Sequence, residues 1–213
     1  MNAPCRLYLI TPPLRLADLD AFAPRFAGVL AAGDVASALA RIAPGAEGDA
    51  KRIVARLAEI SAPADVALLV ENDARLAPRA GADGAHVAGA GAELTQALAS
   101  LRPERIVGAG QLRLRDDAMS AGEAGADYVM FGEPRPDGWT PPFQETIERV
   151  EWWAEIFQTP CVAFAEALDG AEALAAAGAD FVALGDAIWR APSAEAAMAE
   201  ATRRVAKAVN PRA

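Results

Sequence analysis

Ala80-Gly81-Ala82-Asp83 occurs again as Ala124-Gly125-Ala126-Asp127 and a third time as Ala177-Gly178-Ala179-Asp180. A helix-like stretch precedes each copy, as over 115–123 and 170–176, and a short apolar run follows: Gly84-Ala85-His86-Val87, Tyr128-Val129-Met130-Phe131 and Phe181-Val182-Ala183-Leu184. Glycine closes helices because it takes the left-handed conformation without a Cβ penalty, and an uninterrupted apolar run suits a strand buried on both faces. Each copy therefore reads as the end of a helix and the start of a strand. A weaker fourth copy, Ala31-Ala32-Gly33-Asp34, precedes another apolar run over 35–40. The four aspartates are 49, 44 and 53 residues apart, and each interval fits two strand–helix units.

Working outward from these anchors, strands are predicted over 6–10, 35–40, 66–70, 84–87, 105–109, 128–131, 161–164 and 181–184. Thr11-Pro12-Pro13 is expected to stop the first, since proline cannot donate to a central ladder. Helical spacing links Leu19, Phe22, Phe26, Val29 and Leu30, with Asp18 as the expected cap and Pro24 inside the pattern. It recurs in Ile53, Val54, Leu57 and Ile60, and in Ile147, Val150, Trp153, Ala154 and Phe157; Ser193 is suited to cap a last helix running to about 209. Eight strands alternating with eight helices imply a parallel sheet with right-handed crossovers, closing into a single-domain (β/α)8 TIM barrel over 1–213. The alternative, an open doubly wound sheet, usually carries a glycine-rich phosphate loop after strand one, where this chain has Thr11-Pro12-Pro13.

Composition narrows the partners. A net charge of −9 and a pI near 4.7 speak against a nucleic-acid groove or an anionic membrane surface, leaving a small-molecule ligand as the expected partner. Cys5 and Cys161 form no Cys-x-x-Cys, no secretory leader is evident, and no apolar run reaches bilayer length, so a cytoplasmic location is expected. Trp139, Trp152 and Trp153 lie near the long, proline-rich loop over 132–142 and are expected to form an exposed apolar patch, which leaves a homo-oligomer open.

A barrel carries its chemistry in the loops after the strands. That rule selects Thr11, Arg41, Glu71, Asn72, Asp73, Gln111, Arg113, Glu133, Arg135, Glu166 and Asp186. Each also has a plain structural reading as a helix cap or solvated loop residue, and Asn72 and Asp73 suit capping best. His86, the only histidine, is read first as a hydrogen-bonded core residue, and its solitude excludes a multi-histidine metal site. Lys51 and Lys207 fall on outer helices, against a Schiff-base lysine, and no Gly-x-Ser-x-Gly is present. Glu166 and Asp186 occupy the two loops where barrels often hold phosphate, and would repel a dianion unless a metal or an arginine lies between.

The run Leu68-Leu69-Val70-Glu71-Asn72-Asp73, followed by Ala80-Gly81-Ala82-Asp83-Gly84-Ala85-His86-Val87, resembles the Asn-Asp and Gly-Ala-Asp-Gly-Val-His-Leu segments of the thiamine-phosphate synthase and thiazole-tautomerase family. Ile106-Val107-Gly108, the stretch from Glu123 through Gly132, Cys161-Val162-Ala163 and the stretch from Ala177 to Ile188 are similar to its later strands, so the resemblance spans nearly the whole chain. It implies a (β/α)8 barrel joining a pyrimidine pyrophosphate to a thiazole phosphate with Mg²⁺ and releasing pyrophosphate. Asn72 and Asp73 match the family's pyrophosphate- and metal-binding pair.

Other positions depart from the pattern. The family's Gln-Leu-Arg after strand two is here Ala38-Leu39-Ala40, with Arg41 one place later; its second metal-binding aspartate falls at about Gly91. Its Ser-Thr-His after strand five is about Gly110-Gln111-Leu112, its lysine after strand six is absent from 132–140, and its Gly-Gly after strand seven is about Ala165-Glu166. The expected substrate-binding set is therefore Asn72, Arg41, Gln111, Glu133, Glu166 and Asp186, with Asp73 toward a weakly held Mg²⁺. The expected protein is a divergent transferase in or near thiamine biosynthesis, with a degenerate active site and lowered standard activity. Two alternatives stay open: a non-catalytic or regulatory barrel taking a small, cationic ligand between Glu71, Glu133, Glu166 and Asp186, and a barrel enzyme of other chemistry using those carboxylates as an acid–base or metal site.

Overall fold

The computed structural model describes residues 4–135 and 137–209. Pro136 in the long loop and the ends of the 1–213 span lie outside the described residues. Eight parallel strands close into a barrel in sequential order: β1 (Arg6–Leu14), β2 (Val35–Ile42), β3 (Ala67–Glu71), β4 (Gly84–Ala88), β5 (Ile106–Gly110), β6 (Tyr128–Phe131), β7 (Cys161–Ala165) and β8 (Phe181–Leu184), with β8 pairing back to β1. Between them run α1 (Leu19–Ala31), α2 (Ala50–Ser61), α3 (Leu76–Ala80), α4 (Ala92–Leu101), α5 (Arg115–Glu123), α6 (Phe143–Ile156) and α7 (Ala171–Ala176), and after β8 come α8 (Asp186–Trp189) and α9 (Ala194–Lys207).

Strand alternation sorts the core into two parts. Tyr8, Ile10, Leu39, Leu69, Tyr128, Met130, Val162 and Ala183 fill the inside of the barrel. Their neighbours Leu7, Leu9, Ala38, Ala40, Leu68, Val70, Val129 and Phe131 point outward into the layer shared with the helices. From the other side Phe22, Phe26, Val29, Ile53, Val54, Leu57, Val150 and Trp153 complete that layer at the spacing the sequence predicts.

The repeated tetrapeptide closes the amino-terminal end of the barrel. Gly81, Gly125 and Gly178 all have positive φ, ending the preceding helix. Each following aspartate then grips the strand before its own: Asp83 Oδ2 accepts the Leu68 N–H at 2.7 Å, Asp127 Oδ2 that of Val107 at 2.8 Å, and Asp180 Oδ2 that of Cys161 at 2.8 Å. The fourth copy works differently. Gly33 lacks a positive φ and instead lets α9 pack closely, since a Cβ there would sit 2.7 Å from Met198 Cγ. Asp34 forms an ion pair with Arg6 at 2.7 Å.

Four expectations need correction. First, β1 does not stop at Ile10 but runs through Thr11-Pro12-Pro13 to Leu14. Its register with β8 covers only Arg6 to Leu9, so beyond that β1 has a single partner, β2, and proline's missing N–H is tolerated as on an edge strand. Second, the chain adds a short helix after β8, giving nine α-helices among the described residues; Trp189 anchors the new one by donating its indole N–H to Ile10 O at 2.7 Å. Third, Asp18 makes no side-chain cap to α1 and accepts the Arg15 N–H instead, whereas Ser193 does cap α9. Fourth, the three tryptophans do not form a patch. Trp153 is fully buried and donates to Thr159 O, Trp152 lies under the Arg115 guanidinium, and only Trp139 is exposed, with Arg135 over its ring at 3.9 Å.

Candidate functional site at the carboxyl end of the barrel

The carboxyl ends of the strands surround a cavity of about 680 Å³. All six expected substrate-binding residues line it: Arg41 from the end of β2, Asn72 after β3, Gln111 after β5, Glu133 after β6, Glu166 after β7 and Asp186 after β8. Thr11, Glu71 and Arg135 line it too, and Ile10, Leu39 and Phe164 supply apolar surface. Two expected residues are elsewhere. Asp73 lines a neighbouring cavity beside α4, with Asn72 shared between the two, and Arg113 lines an adjoining cleft against α6 together with Arg149, with Gln111, Glu133 and Arg135 shared.

Beneath the cavity a polar chain runs into the barrel. Tyr8 Oη lies 2.9 Å from Tyr128 Oη, Tyr128 Oη lies 2.9 Å from His86 Nδ1, and His86 Nε2 faces Glu133 Oε2 at 3.3 Å. Glu133 Oε1 accepts the backbone N–H of Gln111. Burial disfavours the tyrosinate form and pushes both phenols up, and the nearby Glu133 carboxylate acts in the same direction. Strand β5 makes room for this chain by carrying glycine at its last two inward positions, Gly108 and Gly110, beyond Ile106. A Cβ at Gly108 would meet the Tyr128 ring at 1.9 Å, and one at Gly110 would meet Glu133 Oε1 at 2.2 Å and His86 Nε2 at 2.3 Å. The core reading of His86 is thus borne out on its Nδ1 side, while the residue also reaches the cavity.

Two rim residues hold backbone conformations that L side chains rarely adopt, Asn72 at φ 53° and Gln111 at φ 54°. Asn72 is fixed there by its N–H on His86 O and its Oδ1 on the Ala88 N–H, so it locks the end of β4 and does not cap α3. Gln111 is fixed by its backbone N–H on Glu133 and its side-chain amide on Pro134 O at 2.8 Å. Asp73 is the capping residue, its Oδ1 accepting the Leu76 N–H at 3.0 Å. Thr11 is buried and accepts the Arg41 N–H, a structural role.

The electrostatics differ from a purely acidic mouth. Arg41 pairs with Glu71 at 3.2 Å and Arg190 with Asp186 at 2.9 Å, and Arg135 completes three arginines around the cavity. An arginine therefore lies beside Asp186. The sequence reading did not select Arg190, Tyr8 or Tyr128. Arg190 sits one helical turn beyond Asp186, a spacing that signals the pair. The two tyrosines are the chain's only ones, each inside an apolar strand, a position that requires a hydroxyl partner. Among the described residues no three His, Cys, Asp or Glu side chains converge to hold a metal ion, and Asp73 commits one oxygen to its cap. Among the described residues no helix is long and apolar enough to cross a membrane.

Fold and site together define a (β/α)8 barrel with a cavity of mixed arginine and carboxylate lining at its carboxyl face. The chain belongs to the thiamine monophosphate synthase family, whose model matches residues 7–188. It is 38% identical over 203 residues to the thiamine-phosphate synthase of Rhodospirillum centenum, covering 94% of this chain and 97% of that one. It is 36% identical over 206 residues to that of Hyphomonas neptunium, covering 92% and 91%. Among solved structures, the thiamine phosphate pyrophosphorylase of Pyrococcus furiosus superposes with a TM-score of 0.80 at 23% identity, covering 96% of this chain and 97% of that one. A 3-hexulose-6-phosphate synthase superposes at 0.69 with 19% identity, covering 93% and 99%. At such identities the structural likenesses speak for the fold alone. The family read from the Asn-Asp and Gly-Ala-Asp segments is the family found.

Proposed function

We propose that the chain acts in thiamine biosynthesis as a divergent thiamine-phosphate synthase-like transferase, working in the cytoplasm and binding phosphate-bearing heterocycles at the barrel mouth. The observation that carries this reading is the convergence of Arg41, Arg135 and Arg190 on one cavity with Asn72 at its rim. Three guanidiniums can bind phosphate oxygens through charge-assisted hydrogen bonds, replacing the lysine and glycine-rich loop of the family pattern. Because Arg41 and Arg190 are paired with carboxylates, part of their charge is already spent. The standard coupling of a pyrimidine pyrophosphate to a thiazole phosphate is therefore expected to run slowly. Mg²⁺ is commonly held by one or two carboxylates plus substrate phosphates, and Asp73, beside Asn72, is the residue that would hold it here, where the ion would supply positive charge toward a pyrophosphate leaving group.

Calorimetry with thiazole phosphate and with pyrimidine pyrophosphate, each with and without Mg²⁺, tests the reading, together with chromatography for the coupled product. Heat of binding with slow product formation is expected. No heat with either compound under any condition overturns it. A second reading, a regulatory barrel taking a cationic ligand, rests on the four carboxylates in the same cavity. Three of them, Glu71, Glu133 and Asp186, already have a nitrogen partner, which favours the first.

A further inference from the structure

Glu133 is a carboxylate placed between a buried polar chain and the ligand cavity, and its hydrogen-bonding capacity can be counted. The chain Tyr8, Tyr128, His86 has one consistent direction. Tyr8 has Tyr128 Oη as its only hydroxyl partner among the described residues, so the Tyr8 hydroxyl donates to Tyr128 and Tyr128 donates to His86 Nδ1. With Nδ1 an acceptor, the ring proton is on Nε2 and points at Glu133 Oε2. The reverse direction would leave the Tyr8 hydrogen without an acceptor among the described residues. An ionised carboxylate offers about four lone-pair sites. His86 takes one on Oε2 and the Gln111 N–H takes one on Oε1, so roughly two remain for whatever enters the cavity that Glu133 lines.

The surroundings narrow that visitor. Other charged groups that share a cavity with Glu133 are Arg135 on its own loop, Glu166, Glu71, opposite His86 in the β3–β4 register and paired to Arg41, and, in the cleft against α6, Arg113 and Arg149. Ile10, Leu39, Phe164 and the His86 ring line the same cavity as Glu133. Apolar side chains that share a cavity with an acceptor-only group suit a heterocycle that presents N–H to that group.

We propose that Glu133 is the specificity anchor of the site, accepting hydrogen bonds from a ring or amino N–H of a planar nitrogen heterocycle, with His86, Tyr128 and Tyr8 as positioning residues that aim it. The inference rests on the preceding reading only in taking this cavity as the ligand site. It is independent of the arginines and of phosphate.

The test uses two neutral fragments of equal shape, 4-amino-2-methylpyrimidine and 2,4-dimethylpyrimidine, titrated into the tag-free full-length chain and followed by NMR. The amino compound is expected to bind roughly tenfold more tightly, and Glu133→Gln is expected to abolish that preference, as for a hydrogen bond to a charged group. A single histidine allows a readout that does not depend on the variant folding: ¹⁵N-histidine labelling of the wild type is expected to show the ring proton on Nε2 with Nδ1 as acceptor, and Tyr128→Phe to shift it toward the other tautomer. Equal affinity of the two fragments, no binding of either, a preference that survives in Glu133→Gln, or an Nδ1–H ring in the wild type overturns the anchor. Phosphate binding, measured separately with thiazole phosphate, stands or falls on its own.

Discussion

The hydroxyls of Tyr8 and Tyr128 meet at 2.9 Å inside the barrel, and they are the only two tyrosines in the chain. Burial pushes both phenols above the ordinary value of 10.0, and burial pushes the Cys5 thiol up from 9.0 to about 12. A group whose folded pKa is raised contributes stability that is fully present below its unfolded value and is lost as pH rises above it. Cys5 therefore begins to weaken the fold above pH 9 and the tyrosines above pH 10. Tyrosinate absorbance is expected to appear only together with loss of circular dichroism. Smooth titration of either phenol with the secondary structure intact would contradict this.

Two glycines of β5 decide whether the buried chain can exist. Gly108 faces Tyr128 across the strand pair and leaves no room for a methyl group, since its Cβ would overlap the phenol ring. Gly108→Ala must push the ring off its partners in a closed barrel, an overpacking change expected to cost about 3 kcal/mol in urea denaturation. It should also shift the His86 tautomer, because Tyr128 is the residue that fixes it. A variant of wild-type stability would show that the barrel interior yields more readily than its packing indicates.

At the opposite end of the barrel, Asp83 takes both the N–H of Leu68 on its side chain and, through its own N–H, the carbonyl of the same residue. Asp83→Ala removes a charge-assisted hydrogen bond at a solvated strand end and is expected to cost about 1–2 kcal/mol. Because this end is remote from the cavity, fragment binding should be unaltered. Loss of binding in a folded Asp83→Ala protein would place the ligand elsewhere.

This division between the two ends explains what the chain revealed without a structure. The Ala-Gly-Ala-Asp repeats are local features: a positive-φ glycine and a strand-gripping aspartate operate within a few residues of the strand they start, so barrel, strand order and the carboxyl-face candidates follow from them. Asn72, Arg41, Gln111, Glu133, Glu166 and Asp186 could be placed around one mouth for the same reason. What could not be read was pairing across the barrel. The contact of Tyr8 with Tyr128 joins residues 120 positions apart, and the direction of Glu133 depends on His86 from another strand. The continuation of β1 through Pro12 and Pro13 likewise depended on where β8 ends, which no property of the prolines discloses.

Arg190 and Asp186 supply a prediction of sign. Their pair, at 2.9 Å and well exposed, is one helical turn long and contributes only a few tenths of a kcal/mol to the fold, so either partner can be changed without loss of structure. If Arg190 contributes to phosphate binding, releasing it from Asp186 should help and removing it should hurt. Asp186→Asn is expected to tighten thiazole phosphate binding about threefold, and Arg190→Ala to weaken it by a similar factor, with the difference fading in high salt. Calorimetry of the two variants at low and high ionic strength separates this from a steric effect, which would be insensitive to salt. Changes of the same sign in both variants would exclude Arg190 as a phosphate ligand and leave Arg41 and Arg135 to carry the charge.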